Sequence, residues 1–276
     1  MKSKEIMKVS IFTPTRLPGI DVTHSSILRQ EFKQDTEINW IISDQLYDKR
    51  VEEIEEKLKK WPYEYYHFTL PIRDGNKRNL AESYNEAIRI ARDWDSDIFV
   101  SLQDYIYVPC DGLQKFIDVH NGVDAPYLLT GICHISSDPV EEKIWDLNGA
   151  FTIFKEPYTS MPKRIHWHDV RKGEDRIQNG IYQTFPTEWE ANWSMVGKQA
   201  LYDKELMFDE KFDKFIAYEN QDYALNASSR GYKVLLDPNN EVISLPHKKY
   251  FPHIEKSEAP LTSFNRDYLI SKEWVY

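Results

Sequence analysis

The sequence predicts one α/β domain with a mostly parallel central sheet flanked by helices. Three observations point there. Apolar runs with polar exits recur between residues 8 and 104, amphipathic helical stretches separate them, and a chain of 276 residues suffices for one full-sized core. Alternation of this kind requires right-handed crossovers, which set the strands parallel.

The first strand is expected over Lys8 to Thr13 and stops at Thr13-Pro14-Thr15, where proline removes a ladder donor. Val22 to Phe32 places Ile27, Leu28 and Phe32 at helical spacing, with Thr23 or Ser25 available as a cap. INWIIS, Ile38 to Ser43, reads as a second strand that ends at Asp44. Residues 51 to 61 put Val51, Ile54 and Leu58 on one helical face, with acids early and lysines late as the helix dipole prefers. Tyr63 to Leu70 is a third strand, followed by the basic turn Arg73-Asp74-Gly75-Asn76-Lys77-Arg78. The helix from Arg78 to Trp94 repeats Leu80, Tyr84, Ala87, Ile88 and Ala91 at intervals of three and four. It leads to the apolar run Ile98-Phe99-Val100, which opens into Gln103-Asp104-Tyr105. In open α/β sheets ligands lie outside the carboxyl ends of the strands, so Asp104 stands where a substrate would.

Strands are expected at Tyr127 to Cys133 and Gly149 to Phe154, and a polar loop at residues 166 to 176. Its His166, His168 and Asp169 suggest metal ligands, although a histidine cluster without further partners is more often surface or packing. A helix from Glu219 to Ser229 closes at Arg230-Gly231, glycine supplying the left-handed cap. Strands follow at Tyr232 to Leu236 and Glu241 to Leu245, then His247, and residues 248 to 276 read as a loose tail. No repeat or linker divides the chain.

Composition narrows the partners. A formal net charge of −10 argues against a nucleic-acid groove, which needs clustered Lys and Arg to displace counterions. Eight Trp, seventeen Tyr and thirteen Phe exceed a minimal core and suit sugar or base pockets, though core packing accounts for them equally well. Two cysteines, Cys110 and Cys133, make no framework and fit a reducing, cytoplasmic setting. There is no apolar run of about 20 residues to span a bilayer, which leaves peripheral membrane contact open. Neither GxGxxG nor GxxxxGK[ST] occurs, so a bound phosphate would need other means, such as a metal ion and basic side chains.

Taken together these features resemble the inverting family 2 glycosyltransferases of GT-A fold, over most of residues 8 to 247. VSIFTPTR is similar to the family's first strand, with Thr13 and Pro14 at the nucleotide. Asp44 matches the acid that contacts the base or ribose. Arg78-Asn79, with Asn85 and Ala91, resembles the helix that leads into the metal-binding strand, and LQDYIYVPCDGL stands at the DxD motif. FDEKF, ENQDYAL and RGYKV look like the second half, and His247 lies where the family supplies a late metal ligand.

The resemblance implies a nucleotide-diphospho-sugar donor, held with Mn2+ or Mg2+ by Thr13, Pro14, Asp44, Arg78, Asn79, Gln103, Asp104 and Tyr105. It places the nucleotide part at about 8–110 and the acceptor part, for a glycan or other hydroxyl, at about 111–247. Gln103-Asp104-Tyr105 keeps one carboxylate of the motif, and Asp104 with His247 and the donor's own diphosphate would complete a cation's shell. The family's base matches Asn220, which cannot take a proton, so the role passes to Asp222 or Glu219, with Asp222 ahead. Trp189 and Trp193, flanking Glu190, offer ring faces to an acceptor sugar, or else pack. Two rivals stand beside this reading: a sugar nucleotidyltransferase, whose glycine-rich loop is missing, and a degenerate nucleotide- or carbohydrate-binding module.

Overall fold

Strands β1 (Met7–Thr15) and β2 (Thr36–Asp44) carry apolar residues on both faces, as a sheet covered on both sides requires. Val9, Ile11, Phe12, Trp40, Ile41 and Ile42 are each exposed by 1% or less. The computed structural model describes residues 6–15, 20–45, 47–71, 79–104, 106–135, 166–167, 176–178, 180–214, 218–244 and 267–272. Within them the chain alternates as expected. Helix α1 (Ile20–Leu28) follows β1, α2 (Tyr47–Leu58) follows β2, and α3 (Leu80–Asp93) joins β3 (Tyr65–Phe68) to β4 (Ile98–Leu102). The expected apolar stripe of α3 is buried at Tyr84, Ala87, Ile88 and Ala91.

After β4 come the short β5 (Ile106–Tyr107), α4 (Gly112–Gly122) and β6 (Tyr127–Ile135). Three short strands, β7 (His166–Trp167), β8 (Arg176–Gln178) and β9 (Ile181–Gln183), precede a 3-10 turn at Pro186–Glu188. Strand β10 (Trp193–Val196), helix α5 (Lys198–Tyr202), a second 3-10 turn at Glu210–Lys214, helix α6 (Glu219–Ser229) and β11 (Lys233–Ser244) complete the domain.

The sheet order is β3-β2-β1-β4-β10-β6-β11-β9-β8. β3, β2, β1 and β4 are parallel, as are β6 and β11, and β10 runs antiparallel between β4 and β6. One apolar cluster, with Ile27, Ile54, Leu58, Phe116 and Trp193, lies under α1, α2 and α4. The other, with Tyr84, Ile88, Trp189, Leu201 and Tyr223, lies under α3, α5 and α6.

Several expectations change. The two late strands are one strand, β11, whose register with β6 shifts between Asp237 and Glu241. The 166–176 loop holds β7 and the first residue of β8. β10 has only four residues, too few for its alternation to announce a strand, and its pairing comes from β4 and β6 on either side. The expected strand at 149–154 lies outside the described residues. Of the expected loose tail, residues 267–271 are helical, and Tyr268 and Lys272 are docked through Asp209 and Asp222. Among the described residues no helix is long and apolar enough to cross a membrane.

Gly131 on β6 marks the tightest packing. A Cβ there would stand 2.5 Å from the Asn240 carbonyl oxygen and closer still to the Trp193 ring, so any side chain must displace backbone or indole. Gly131→Ala is therefore expected to lose about 1–3 kcal/mol, the usual cost of overpacking a core, measured by urea denaturation. Unchanged stability would show that β6 and β10 can part here without loss.

Candidate active site at the carboxyl edge of the sheet

The ends of β1, β2 and β4 fall together because the three are parallel and in register, Thr15 pairing with Asp44. One residue beyond β4, Gln103 donates its N–H to the Asn192 carbonyl oxygen at 3.2 Å, and Asp104 follows. Asp104 is 3% exposed, and the Thr15 hydroxyl donates to its Oδ2 at 2.6 Å. Thr15, missed at the sequence level, is thus the β1 residue that meets the motif. Thr13 is fully buried, and its hydroxyl accepts the Trp40 indole N–H at 3.0 Å, while Pro14 is half-buried.

Asp44 occupies the expected strand exit but is fully buried, its Oδ2 lying 3.2 Å from His67 Nε2. His67 Nδ1 is 3.2 Å from Glu55 Oε1, and Tyr47 packs its ring 4.7 Å from the imidazole. Asp44 is therefore held by an imidazole between two carboxylates, an arrangement no local sequence pattern announces. Asn79 is also structural in its contacts, donating Nδ2 to the Leu70 carbonyl at 2.8 Å. The α3 start it precedes is capped from far away: the Asp213 carboxylate accepts the amides of Ala81 and Glu82 at 2.6 and 2.8 Å, satisfying donors every helix start leaves open. Arg78, Tyr105, His168, Asp169 and His247 lie outside the described residues.

Because β10 is reversed, its start stands beside the end of β4, Trp193 pairing with Leu102. The residues just before it, Glu190 to Asn192, therefore share the edge with Gln103 and Asp104. Ser101 and Tyr84 anchor them, both hydroxyls donating to the Ala191 carbonyl, Tyr84 at 3.3 Å. Glu190 is partly buried and accepts from Gln221 Nε2 at 3.1 Å. Burial, then the charge of Glu219, pushes its carboxyl up to about 7 despite hydrogen bonds from the Asn220 and Gln221 amides.

The two tryptophans are corrected to core residues. Trp189 is 1% exposed, donates its indole N–H to the Leu129 carbonyl at 3.2 Å and packs on Tyr223. Trp193 is equally buried and stacks on Phe116 at 4.4 Å. Neither offers a ring face to an acceptor sugar.

At the start of α6, Tyr218 takes a left-handed backbone conformation, φ 74°, a strained setting for a non-glycine residue that turns the chain into the helix. Glu219 and Asp222 share the first turn, as their spacing implies, but their settings differ. Asp222 is gripped by Lys272 Nζ, which donates to its two oxygens at 2.6 and 2.7 Å. Lys272 also lies 2.9 Å from Asp209, which accepts the Tyr268 hydroxyl at 2.8 Å, and Tyr268 packs against Phe212. An acid ranked first as base is thus committed to an ion pair with the chain's own C-terminal segment. Among the described residues no three His, Cys, Asp or Glu side chains converge as a ready-made metal cage.

Comparison with solved structures places this architecture among GT-A folds. Residues 1–349 of S. aureus TarS in complex with UDP are similar at a TM-score of 0.56 and 14% identity, over 89% of this chain and 62% of that one. The same protein with UDP-GlcNAc gives 0.54 and 15%, over 87% and 59%. The mannosyltransferase PcManGT from Pyrobaculum calidifontis, in complex with GDP-Man and Mn2+, gives 0.51 and 14%, over 88% and 59%. The chain thus spans about three fifths of the length of these structures. No family model matches the sequence, and no curated protein does.

Asp209 is held below the usual carboxylate range: burial opposes its ionisation, and hydrogen bonds from Lys272, the Lys211 amide and Tyr268 outweigh that. A depressed folded pKa contributes stability above the unfolded value, about 3.9, and loses it as pH falls through the folded one. Lys272→Met should cost about 1.5–3 kcal/mol at pH 7, the worth of a hydrogen bond to a charged group, and the difference from parent should shrink below about pH 4. Equal melting curves at pH 7 would mean that the segment contributes nothing.

Proposed function

We propose that the protein is a glycosyltransferase that moves a hexose from a nucleoside-diphospho-sugar to an acceptor hydroxyl with inversion, in glycan or polysaccharide synthesis. The observation that carries this is the Thr15–Asp104 pair on one sheet edge with Asp44, at the place where open α/β sheets bind ligands. The GT-A fold, and nucleotide sugars bound in similar structures, support the donor class.

The chemistry of the donor set decides how a metal would fit. One buried carboxylate is too little for a protein-built cage, yet it suits Mg2+ or Mn2+ shared with a diphosphate, since such ions take one or two carboxylates plus phosphate oxygens and water. Asp104 would hold the ion, with His247 as a second ligand. When bound, the ion would offset charge developing on the departing diphosphate. The chain's own residues do the rest: Thr15 orients Asp104, the His67–Asp44 pair braces the β2 exit beneath the nucleoside, and Glu219 and Asp222 add negative charge at the α6 start. The alternative is a nucleotide- or carbohydrate-binding module without turnover.

Thermal shift against UDP-, GDP-, CMP- and dTDP-sugars, with and without manganese, tests the donor class, because a ligand of the native state raises its stability by mass action. Release of the nucleoside diphosphate separates enzyme from module. Asp104→Ala should erase the manganese-dependent part of the stabilisation and leave any metal-independent part. A folded Asp104→Ala protein with unaltered manganese dependence would remove Asp104 from the site.

A further inference from the structure

Glu190 is a partly buried carboxyl at the entrance to β10. It sits two residues before Asn192, the residue that pairs with Gln103 at the Asp104 motif, and so on the same edge as the donor side. From α6, Gln221 Nε2 donates to its Oε1 at 3.1 Å, and Asn220 adds a second amide. Both amides carry an unsatisfied oxygen: Asn220 Oδ1 and Gln221 Oε1 are buried with no hydrogen-bond partner among the described residues, and Asn220 as a whole is only 9% exposed. Buried acceptors left open cost stability unless a donor arrives. A sugar or other polyol brings several hydroxyl donors at once. The patch therefore has two kinds of acceptor for one class of ligand: amide oxygens to hold hydroxyls, and a carboxylate to take a proton from one of them.

We propose that Glu190 is the general base of the transfer, receiving the acceptor hydroxyl's proton while Asn220 and Gln221 bind neighbouring hydroxyls of a polyol acceptor. The inference rests on the glycosyltransferase reading. In the step, the acceptor oxygen bonds to the anomeric carbon as the bond from that carbon to the diphosphate oxygen breaks. That bond's electron pair leaves with the nucleoside diphosphate, and the hydroxyl proton ends on the Glu190 carboxylate. The groups that set its protonation are Glu219 on α6, Glu188 in the neighbouring 3-10 turn and the two amides, while Tyr84 on α3 and Cys133 on β6, both held neutral by burial, feel its charge in turn. Raised to about 7 by burial and by Glu219, the carboxyl is poised near neutrality, where general-base efficiency is greatest. Asp222, with both oxygens on Lys272, is in this view a positioning residue for the α6 start.

The test uses the full chain with UDP-N-acetylglucosamine and GDP-mannose plus manganese, reading nucleoside diphosphate release against pH and donor affinity by calorimetry. Glu190→Gln should lower turnover by roughly 10²–10⁴-fold with donor affinity retained, and Glu190→Asp should recover part of the loss. In the parent the rate should rise with pH through about 7, because the ionised carboxylate is the active form. Glu219→Gln removes a like charge, so it should move that limb to lower pH and keep turnover above that of Glu190→Gln. A purely structural Glu190 would not give that displacement. Parental turnover in folded Glu190→Gln, or a limb that stays put in Glu219→Gln, overturns the proposal. A parent that neither binds nor cleaves these two donors or any other sugar of the thermal-shift panel instead overturns the glycosyltransferase reading, and this assignment with it.

Discussion

The reversed strand β10 is the constraint on which the site depends. A wholly parallel sheet would bring each strand's exit to the edge by its own crossover. Here one antiparallel strand between β4 and β6 brings a strand entrance there instead. Its ladder with β4, continued by the Gln103 amide on the Asn192 carbonyl, fixes residues 190–192 against the turn that carries Asp104. Phe116 and Gly131 keep Trp193 in place beneath it, one by stacking, the other by having no side chain where the indole passes. Asp104 and Glu190 thereby share an edge without a long loop to connect them.

Buried polar groups do the remaining positioning, each tied to a distant partner. Asn85 on α3 clasps Phe208 in both directions, its Oδ1 accepting the Phe208 amide at 2.8 Å and its Nδ2 donating to the Phe208 carbonyl at 3.0 Å. Asp213, in the 3-10 turn a few residues on, caps the α3 start. Together they hold the segment between α5 and α6 against the helix that leads into β4. Aromatic stacking of Tyr84, Phe208 and Tyr223 runs through the same region, linking α3 to α6. Such satisfied networks favour one arrangement, since breaking any member leaves a buried group without its partner. The start of α6 is thus held on one side by this packing and on the other by Lys272 through Asp222.

What the sequence made legible follows the range of the interactions involved. Strand–helix alternation up to β4 is written in local periodicity, and the polar exit after Leu102 could be read directly. The glycine-capped α6 was legible for the same reason, Gly231 having φ 87°. By contrast, β1 runs on past the expected stop at Thr13, through Pro14 to Thr15, and β2 to Asp44, because the two strands pair to their ends. Long-range choices were hidden. Nothing within WSMV states that its neighbours are β4 and β6. Two tryptophans flanking a glutamate look alike whether they face a ligand or the core, and here both rings are buried while Glu190 keeps partial exposure. That Lys272 takes Asp222, fifty positions earlier, or that His67 holds Asp44, depends on the fold bringing them together.

In the function proposed, the exits of β1, β2 and β4, with the start of β10, form a nucleotide-sugar site. A crystal structure grown with a nucleoside diphosphate and manganese tests it most directly. The nucleoside is expected beside Asp44, the diphosphate and cation at Asp104 next to Thr15, and an open face of the site toward Glu190. A nucleotide seated elsewhere, with Asp44 and Asp104 away from it, would contradict it.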